Sequence, residues 1–315
     1  MKNFTCLSDT PGLNVMVEKA LKAKKQPFAH KTLGTNKTLG LIFLNPSLRT
    51  RLSTQKAATN LGMDVVVMNL NNEGWTLELE EGAIMNGKGQ EHIKEAAGVI
   101  SQYCDVIGLR TFASLQNREW DYQEYFLSTF IKYSRVPVIS LESATLHPLQ
   151  SLADLLTIEE HKLRKRPKVV VTWAPHPKAL PQAVANSTLQ WLQNAQVDLV
   201  LSHPPGLELA SEFTHGIHIE YEQDIALKNA DFIYAKNWSG YKNYGSVSHR
   251  HQDWTLNHNK MALAPEGKFM HCLPVRRNVV VTDEVLDGPQ SLVLQQANNR
   301  IYAAQAVLQS ILENG

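Results

Sequence analysis

One stretch carries the chemistry most plainly: Asn45-Pro46-Ser47-Leu48-Arg49-Thr50-Arg51. The apolar run Leu39–Leu44 ahead of it predicts a strand. The run Leu52–Leu61 behind it predicts a helix closed by Gly62 at the C′ position. A strand, a tight turn and a helix start with Ser47 at the N-cap form an anion site, because the unpaired N–H groups of the first turn and the helix dipole both favour negative charge. Arg49 adds a guanidinium fork suited to phosphate, and Thr50 adds a hydroxyl. Taken alone, the stretch also fits a solvated, arginine-rich helix start.

Further polar residues fall at the ends of other predicted strands, the edge where open α/β sheets place their ligands. Arg110 follows a strand over Asp105–Leu109. Glu142 and His147 follow a strand over Val136–Ser140, and His147-Pro148-Leu149-Gln150 opens a helix. Pro175-His176-Pro177-Lys178 follows a strand over Lys168–Trp173. His271-Cys272-Leu273-Pro274 and Arg276-Arg277 follow a strand-like run over Lys268–Leu273. Each has an ordinary alternative. Arg110 could form a surface ion pair, His147 could cap its helix, and His176 could stiffen a turn. Cys272 could be a small core residue, and the arginine pair a charged loop. Their agreement on one edge of the predicted sheets favours a site. A metal pair at His271 and Cys272 is disfavoured, since neighbouring side chains on a strand face opposite ways.

The elements that would position these residues alternate. A helix over about Leu13–Ala23 comes first. Strands over Leu39–Leu44, Asp64–Leu70, Asp105–Leu109 and Val136–Ser140 alternate with helices over about 52–61, 91–103 and 120–133. A helix over about Pro148–Leu163 connects to a second alternation. This has strands over Lys168–Trp173, Val197–Ser202, Ile217–Tyr221, Asp231–Ala235 and Lys268–Leu273, with a helix over about 182–194. A final helix covers about Asn298–Leu312. The expected fold is α/β, with two domains, each built on a central parallel sheet and linked by helices.

The chain has 315 residues, which also suits two domains. With 43% apolar and 19% charged residues it has the composition of an ordinary folded protein. A net charge of +1 argues against nucleic acid or an anionic membrane as a partner bound through bulk charge. Anion binding must come from local placement. Cys6, Cys104 and Cys272 form no close pair, which disfavours a disulfide scaffold and points to a reducing compartment. The absence of a signal-like start and of any spanning apolar run fits a cytoplasmic protein. There is no Walker or Rossmann glycine loop, so no nucleotide motif is present.

The motifs Ser47-Leu48-Arg49-Thr50-Arg51, His147-Pro148-Leu149-Gln150 and His271-Cys272-Leu273-Pro274 together resemble the aspartate/ornithine carbamoyltransferase superfamily. The third motif is similar to its ornithine-like side. The likeness is closer to the branch acting on N2-acylated ornithines. Ala235-Lys236-Asn237-Trp238 stands where ornithine enzymes carry an Asp and a Ser-Met-Gly segment, and the run Trp173–Ser187 and Arg276-Arg277 also look like that branch. The resemblance implies a carbamoyl phosphate set of Ser47, Leu48, Arg49, Thr50, Trp75, Arg110, His147, Pro148, Leu149, Gln150, Cys272, Leu273 and Arg300. Arg110, His147 and Cys272 are its catalytic members, and Trp75 comes from a neighbouring subunit of a homotrimer. It implies that Glu142, His176, Lys236 and Arg276 hold the acylornithine. It implies neither metal nor cofactor. It also implies a domain boundary near residues 146/147, an acylornithine domain over 147–297, a C-terminal helix over 298–315 packing back on the first domain, and a knot in the second domain.

On that resemblance the reaction is carbamoyl transfer to the δ-amine of an N2-acylornithine, a step of arginine synthesis. The acyl group turns on Gln90, where the acetyl branch carries Glu and the succinyl branch Pro, and on Val280, where the acetyl branch carries a modified lysine. A neutral Gln90 removes a repulsion for a succinyl carboxylate, and Arg276, His176 and Lys236 offer it positive charge. The balance favours N2-succinylornithine over N2-acetylornithine, and both over free ornithine. The alternative of another class is a non-catalytic, anion-binding regulatory protein.

Overall fold

The computed structural model describes residues 1–314. The chain divides into two compact units. One comprises Met1–Leu149 and the C-terminal segment from Arg300; the other comprises Gln150–Asn299. Each is an α/β unit on an all-parallel sheet, as the alternation of elements predicts.

The sheet of the first unit contains β1 (Thr38–Phe43), β2 (Asp64–Asn69), β3 (Val106–Arg110) and β4 (Val138–Glu142), in the order β2-β1-β3-β4. Its helices are α1 (Leu13–Lys25), α2 (Leu48–Leu61), α3 (Ile93–Tyr103), α4 (Arg118–Tyr122) and α5 (Tyr125–Tyr133). β1, β3 and β4 are buried on both faces, which is why they read as unbroken apolar runs. β2 is an edge strand with an alternating pattern, and it leaves Val66 and Met68 exposed. Ile42, Ile93, Ala97, Ile107, Leu109, Leu127, Phe130 and Val138 form one core cluster. α2 ends where expected. Gly62 has φ 82°, and a Cβ there would stand 2.0 Å from the Lys31 carbonyl oxygen, so glycine alone fits.

Two expectations need correction here. β4 begins at Val138, two residues later than predicted, because Pro137 has no N–H to give a ladder. Glu142 is therefore the last residue of the strand and not part of the loop after it. The helix expected over 120–133 is two helices, broken at Glu124, whose backbone is left-handed at φ 49°.

The second unit carries β5 (Lys168–Trp173), β6 (Asp198–Ser202), β7 (His218–Glu220), β8 (Phe232–Lys236) and β9 (Lys268–Met270), in the order β9-β8-β5-β6-β7. α7 (Ala183–Gln193) packs among its helices. Val170, Ala174, Ile233, Ala235, Leu256, Phe269 and Val280 belong to its core cluster. β9 stops at Met270 and not at Leu273. The His271 N–H leaves the ladder and donates to Gln296 Oε1 at 3.0 Å, so Cys272 lies in a turn and not in a strand.

Two helices run across the division of the chain, α6 (Pro148–His161) and α8 (Val293–Leu312). α8 starts five residues before its predicted start at Asn298. Asn299 does not break it, because its amide donates to Thr157 Oγ1 at 2.9 Å and Glu160 Oε2 at 2.8 Å and does not compete for the backbone. Among the described residues no helix is long and apolar enough to cross a membrane.

Candidate active site

The strand order locates the ligand edge of each unit. In the first, β2 lies on one side of β1 and β3 on the other, so the order reverses between β1 and β3. The Asn45–Arg51 turn and Arg110 leave the carboxyl ends of those two strands, where such sheets bind ligands. In the second, the order reverses between β5 and β8. The carboxyl ends there lead to His176 and carry Lys236.

At the first edge Ser47 caps α2. Its backbone is extended, at φ −151° and ψ 129°, and its Oγ accepts from the Thr50 N–H at 3.3 Å. Leu48 is 68% exposed, so from that position only the backbone N–H can serve an anion. Thr50 is fully buried. Its Oγ1 accepts from Arg110 Nη1 at 2.9 Å and from Arg300 Nη2 at 2.7 Å. Both lone pairs of the hydroxyl are thereby used, and its proton remains as the group it can give a ligand. The Arg110 guanidinium stacks on Phe112, 4.5 Å from the ring centre. Its Nη2 lies 3.0 Å from Glu142 Oε2, and His147 Nε2 lies 3.5 Å from the same oxygen. Arg110, Glu142 and His147 are all buried.

The loop between Glu142 and His147 is held by a residue that sequence reasoning missed. The Glu124 carboxylate accepts from Ser143 Oγ at 2.6 Å, Ala144 N at 3.1 Å, Thr145 N at 2.7 Å and Thr145 Oγ1 at 2.5 Å. Four donors on one carboxylate account for the left-handed backbone at Glu124. The residue looked like one more polar position on an amphipathic helix, and no local signal separates it from its neighbours.

Trp75 and Gln90 share one exposed loop of the first unit. Gln90 N–H donates to the Thr76 carbonyl at 2.9 Å, and a short parallel ladder pairs Leu77 with Glu91 and Glu78 with His92. Trp75 is 52% exposed, with its indole N–H on Glu91 Oε2 at 2.7 Å. The acidic neighbour of Gln90 is thus engaged by the indole. Lower on the loop, hydrogen bonds from Lys132 and Tyr133 bring the Glu81 carboxyl down to about 2.

In the second unit His176 Nδ1 accepts from the Lys178 N–H at 3.1 Å. Burial pushes the His176 imidazole below its ordinary value, and the nearby charges of Lys236, Arg276 and Lys178 push it the same way against the Lys178 carbonyl. Lys236 and Arg276 are thus close enough to act on His176, and together with burial they favour its neutral imidazole. The arginine pair divides its work. Arg277 is bound to Asp283 at 2.7 Å and to Asp287 by two contacts of 2.7 Å, which raise its pKa, whereas Arg276 is exposed and its charge acts on His176. Leu273 N–H donates to His271 Nδ1 at 2.9 Å, which shapes the turn bearing Cys272. Val280 is buried in the apolar core, a setting that suits valine and not a charged side chain. The segment after β8 is tied to the loop after β5. Asn237 Nδ2 donates to the Ala174 carbonyl at 2.7 Å, Trp173 Nε1 to the Trp238 carbonyl at 3.0 Å, and Ser239 N to the Leu180 carbonyl at 3.2 Å.

The first unit thus carries an anion cradle with Arg110 and Arg300 on the Thr50 hydroxyl, and the second carries Lys236 and Arg276 near His176; two family models match the chain. Residues 2–160 match the carbamoyl-P binding domain of the aspartate/ornithine carbamoyltransferases, and residues 181–311 match their Asp/Orn binding domain. The chain belongs to the aspartate/ornithine carbamoyltransferase family. It is 51% identical to an N-succinylornithine carbamoyltransferase of Bacteroides thetaiotaomicron, over 99% of each chain. It is 35% identical to an N-acetylornithine carbamoyltransferase of Xanthomonas campestris pv. campestris, over 93% of each. Among solved structures, a mutant N-acetyl-L-ornithine transcarbamylase complexed with carbamyl phosphate and N-succinyl-L-norvaline superposes with a TM-score of 0.93. The two share 33% identity, over 99% of this chain and 100% of that one.

Proposed function

We propose that the protein transfers the carbamoyl group of carbamoyl phosphate to the δ-amine of N2-succinylornithine, giving N2-succinylcitrulline and phosphate in arginine synthesis. The observation that carries the reading is the buried Thr50 hydroxyl, which gathers the Arg110 and Arg300 guanidiniums beside the capped start of α2. The first-turn N–H groups of Ser47–Thr50, with Arg49, would take the phosphate. Arg110, His147 and the Thr50 hydroxyl proton would face the carbonyl oxygen. Gln150, Cys272 and Leu273 would contact the carbamoyl group, with Pro148 and Leu149 at the start of α6.

The neutral δ-amine attacks the carbamoyl carbon, a C–N bond forms, and negative charge builds on the carbonyl oxygen against those donors. The bond between the carbamoyl carbon and the bridging oxygen then breaks, and the phosphate leaves with that electron pair. Its bridging oxygen takes the proton lost by the amine, so that phosphate departs as the hydrogen-phosphate dianion. Much of the acceleration is positioning of two substrates. Lys236 and Arg276, with His176 beside them, would take the carboxylates of the acylornithine, and Glu142 its reacting end.

Three features support succinyl over acetyl: the neutral Gln90, the apolar burial of Val280, and the 51% against 35% identity to relatives of the two kinds. Measuring kcat/KM for N2-succinylornithine, N2-acetylornithine and ornithine on one preparation tests this, and preference for the acetyl compound rejects it. Trp75, exposed on a polar loop, would complete a neighbour's site in a cytoplasmic homotrimer; a fully active monomer in light scattering would reject that assembly. The ties of residues 237–239 to 173–180 support a knot through the Pro175–Pro181 loop.

A further inference from the structure

We infer that Asp154 is a positioning residue that sets the polarity of Gln150, so that Gln150 meets the carbamoyl group with an acceptor oxygen. Asp154 lies on α6 four residues after Gln150, and both are 1% exposed. Its Oδ1 accepts from Gln150 Nε2 at 2.7 Å and from Gln296 Nε2 at 2.6 Å. Only the nitrogen end of an amide can meet a carboxylate oxygen in this way, since oxygen against oxygen is repulsive. One carboxylate therefore orients two glutamines. Gln296, turned by the same contact, presents Oε1 to the His271 N–H at 3.0 Å and so holds the turn bearing Cys272 and Leu273.

The consequence for chemistry follows from the ligand. Carbamoyl and acetyl phosphate differ only in an NH₂ against a CH₃ on the carbonyl carbon. An amide oxygen rewards the NH₂ with a hydrogen bond and gives a methyl nothing. An amide free to turn would reward neither consistently, and a buried polar group left unpaired is the larger cost. Asp154 is thus what makes Gln150 a reader of the carbamoyl nitrogen. The inference rests on the assignment of Gln150 to the carbamoyl group. It adds a charged residue in the middle of an apolar helix stripe, which sequence patterning alone would treat as an outlier.

The test is the discrimination ratio, the inhibition constant of acetyl phosphate divided by the KM of carbamoyl phosphate, measured with acylornithine saturating. In Asp154→Ala a water can fill the space and donate or accept. The ratio is expected to fall at least ten-fold, through a raised carbamoyl phosphate KM, while the acetyl phosphate constant moves less than two-fold. Asp154→Asn keeps one oxygen in place and is expected to retain most of the ratio. A merely structural residue would shift both constants together. Asp154→Ser, read the same way, replaces Asp154→Ala if the latter does not accumulate folded. An unchanged ratio in the variant measured overturns the inference. So does a fall of the same size when that substitution is added to Gln150→Leu, because Asp154 would then act by another route. If Gln150→Leu alone keeps the ratio, the carbamoyl assignment of Gln150 fails and the inference fails with it. Fall of the ratio in Asp154→Ala and in Gln150→Leu, with no further fall in the double variant, supports the inference.

Discussion

Thr50→Val removes one hydroxyl and changes little in shape, yet it takes the shared acceptor from two guanidiniums. The bonds lost measure 2.9 Å to Arg110 and 2.7 Å to Arg300, both at a fully buried oxygen. Hydrogen bonds to charged groups contribute about 1.5–3 kcal/mol each. Arg110 keeps its 3.0 Å contact with Glu142, so its charge retains a partner. The expected loss of stability is therefore nearer the low end of the sum, about 3 kcal/mol. For a protein built from units of this size that lowers Tm by roughly 6–12 °C. Two cations left side by side without the hydroxyl repel, and a bound phosphate dianion relieves that repulsion. Saturating carbamoyl phosphate should then raise Tm more in the variant, per unit of site occupancy, than in the parent. Turnover should fall by about 10²–10³, the usual cost of losing an aligned donor at a developing oxyanion. Thr50→Ser keeps the oxygen and should stay within about 1 kcal/mol of the parent. Calorimetry with and without carbamoyl phosphate, beside an assay for the ureido product, reads all of these. A Thr50→Val protein that melts with the parent and turns over at its rate would refute the hydroxyl's role as the organiser of the cradle.

Gln90→Glu should leave the fold intact, because the residue is exposed and its loop is held through the backbone. Facing a succinyl carboxylate at ~5 Å with an effective dielectric of ~20, the new charge costs about 3 kcal/mol before screening by salt. At least a ten-fold loss in kcat/KM with N2-succinylornithine is expected, and far less with the acetyl compound. Equal losses would show that Gln90 does not meet the acyl group. His176 offers a pH test. Its pKa lies below the ordinary 6.5 through burial and then through the neighbouring cations, so the folded protein binds fewer protons there than the unfolded chain. Its contribution to stability is present above 6.5 and declines as pH falls below that value. A substrate carboxylate among those cations raises the His176 pKa. Binding of N-succinyl-L-norvaline, which carries the carboxylates but lacks the titrating δ-amine, should therefore take up protons and tighten as pH drops below 6.5, as calorimetric titration in two buffers would measure. Binding without proton uptake in that range would show that no carboxylate reaches His176. Arg49→Ala removes the phosphate fork and should cut activity by orders of magnitude at low carbamoyl phosphate; near-normal turnover would sink that assignment.

Much of this protein is legible without coordinates. Buried parallel strands must be apolar on both faces, so β1, β3, β5 and β8 stand out as runs, and the helices between them follow from periodicity. The anion turn is legible because capping is local: Ser47, the first turn of α2 and Gly62 each act within a few residues of themselves. Strand order was not legible, since pairing is a long-range choice, and only the order reveals that Asn45–Arg51 and Arg110 share one switch point while His176 and Lys236 share the other. The break at Glu124 and the early end of β9 escaped for the same reason. In each, a side chain distant in sequence supplies the partner that overrides local propensity: Ser143–Thr145 for Glu124, and Gln296 for His271. The joining of Arg110 and Arg300 through Thr50 spans 250 residues, and no local rule foresees it. The sequence by itself determines which residue types are available to hold an anion and a carbonyl. Tertiary structure decides which of them share a hydrogen-bond partner, because a buried polar atom must be satisfied by whatever the fold brings within about 3 Å.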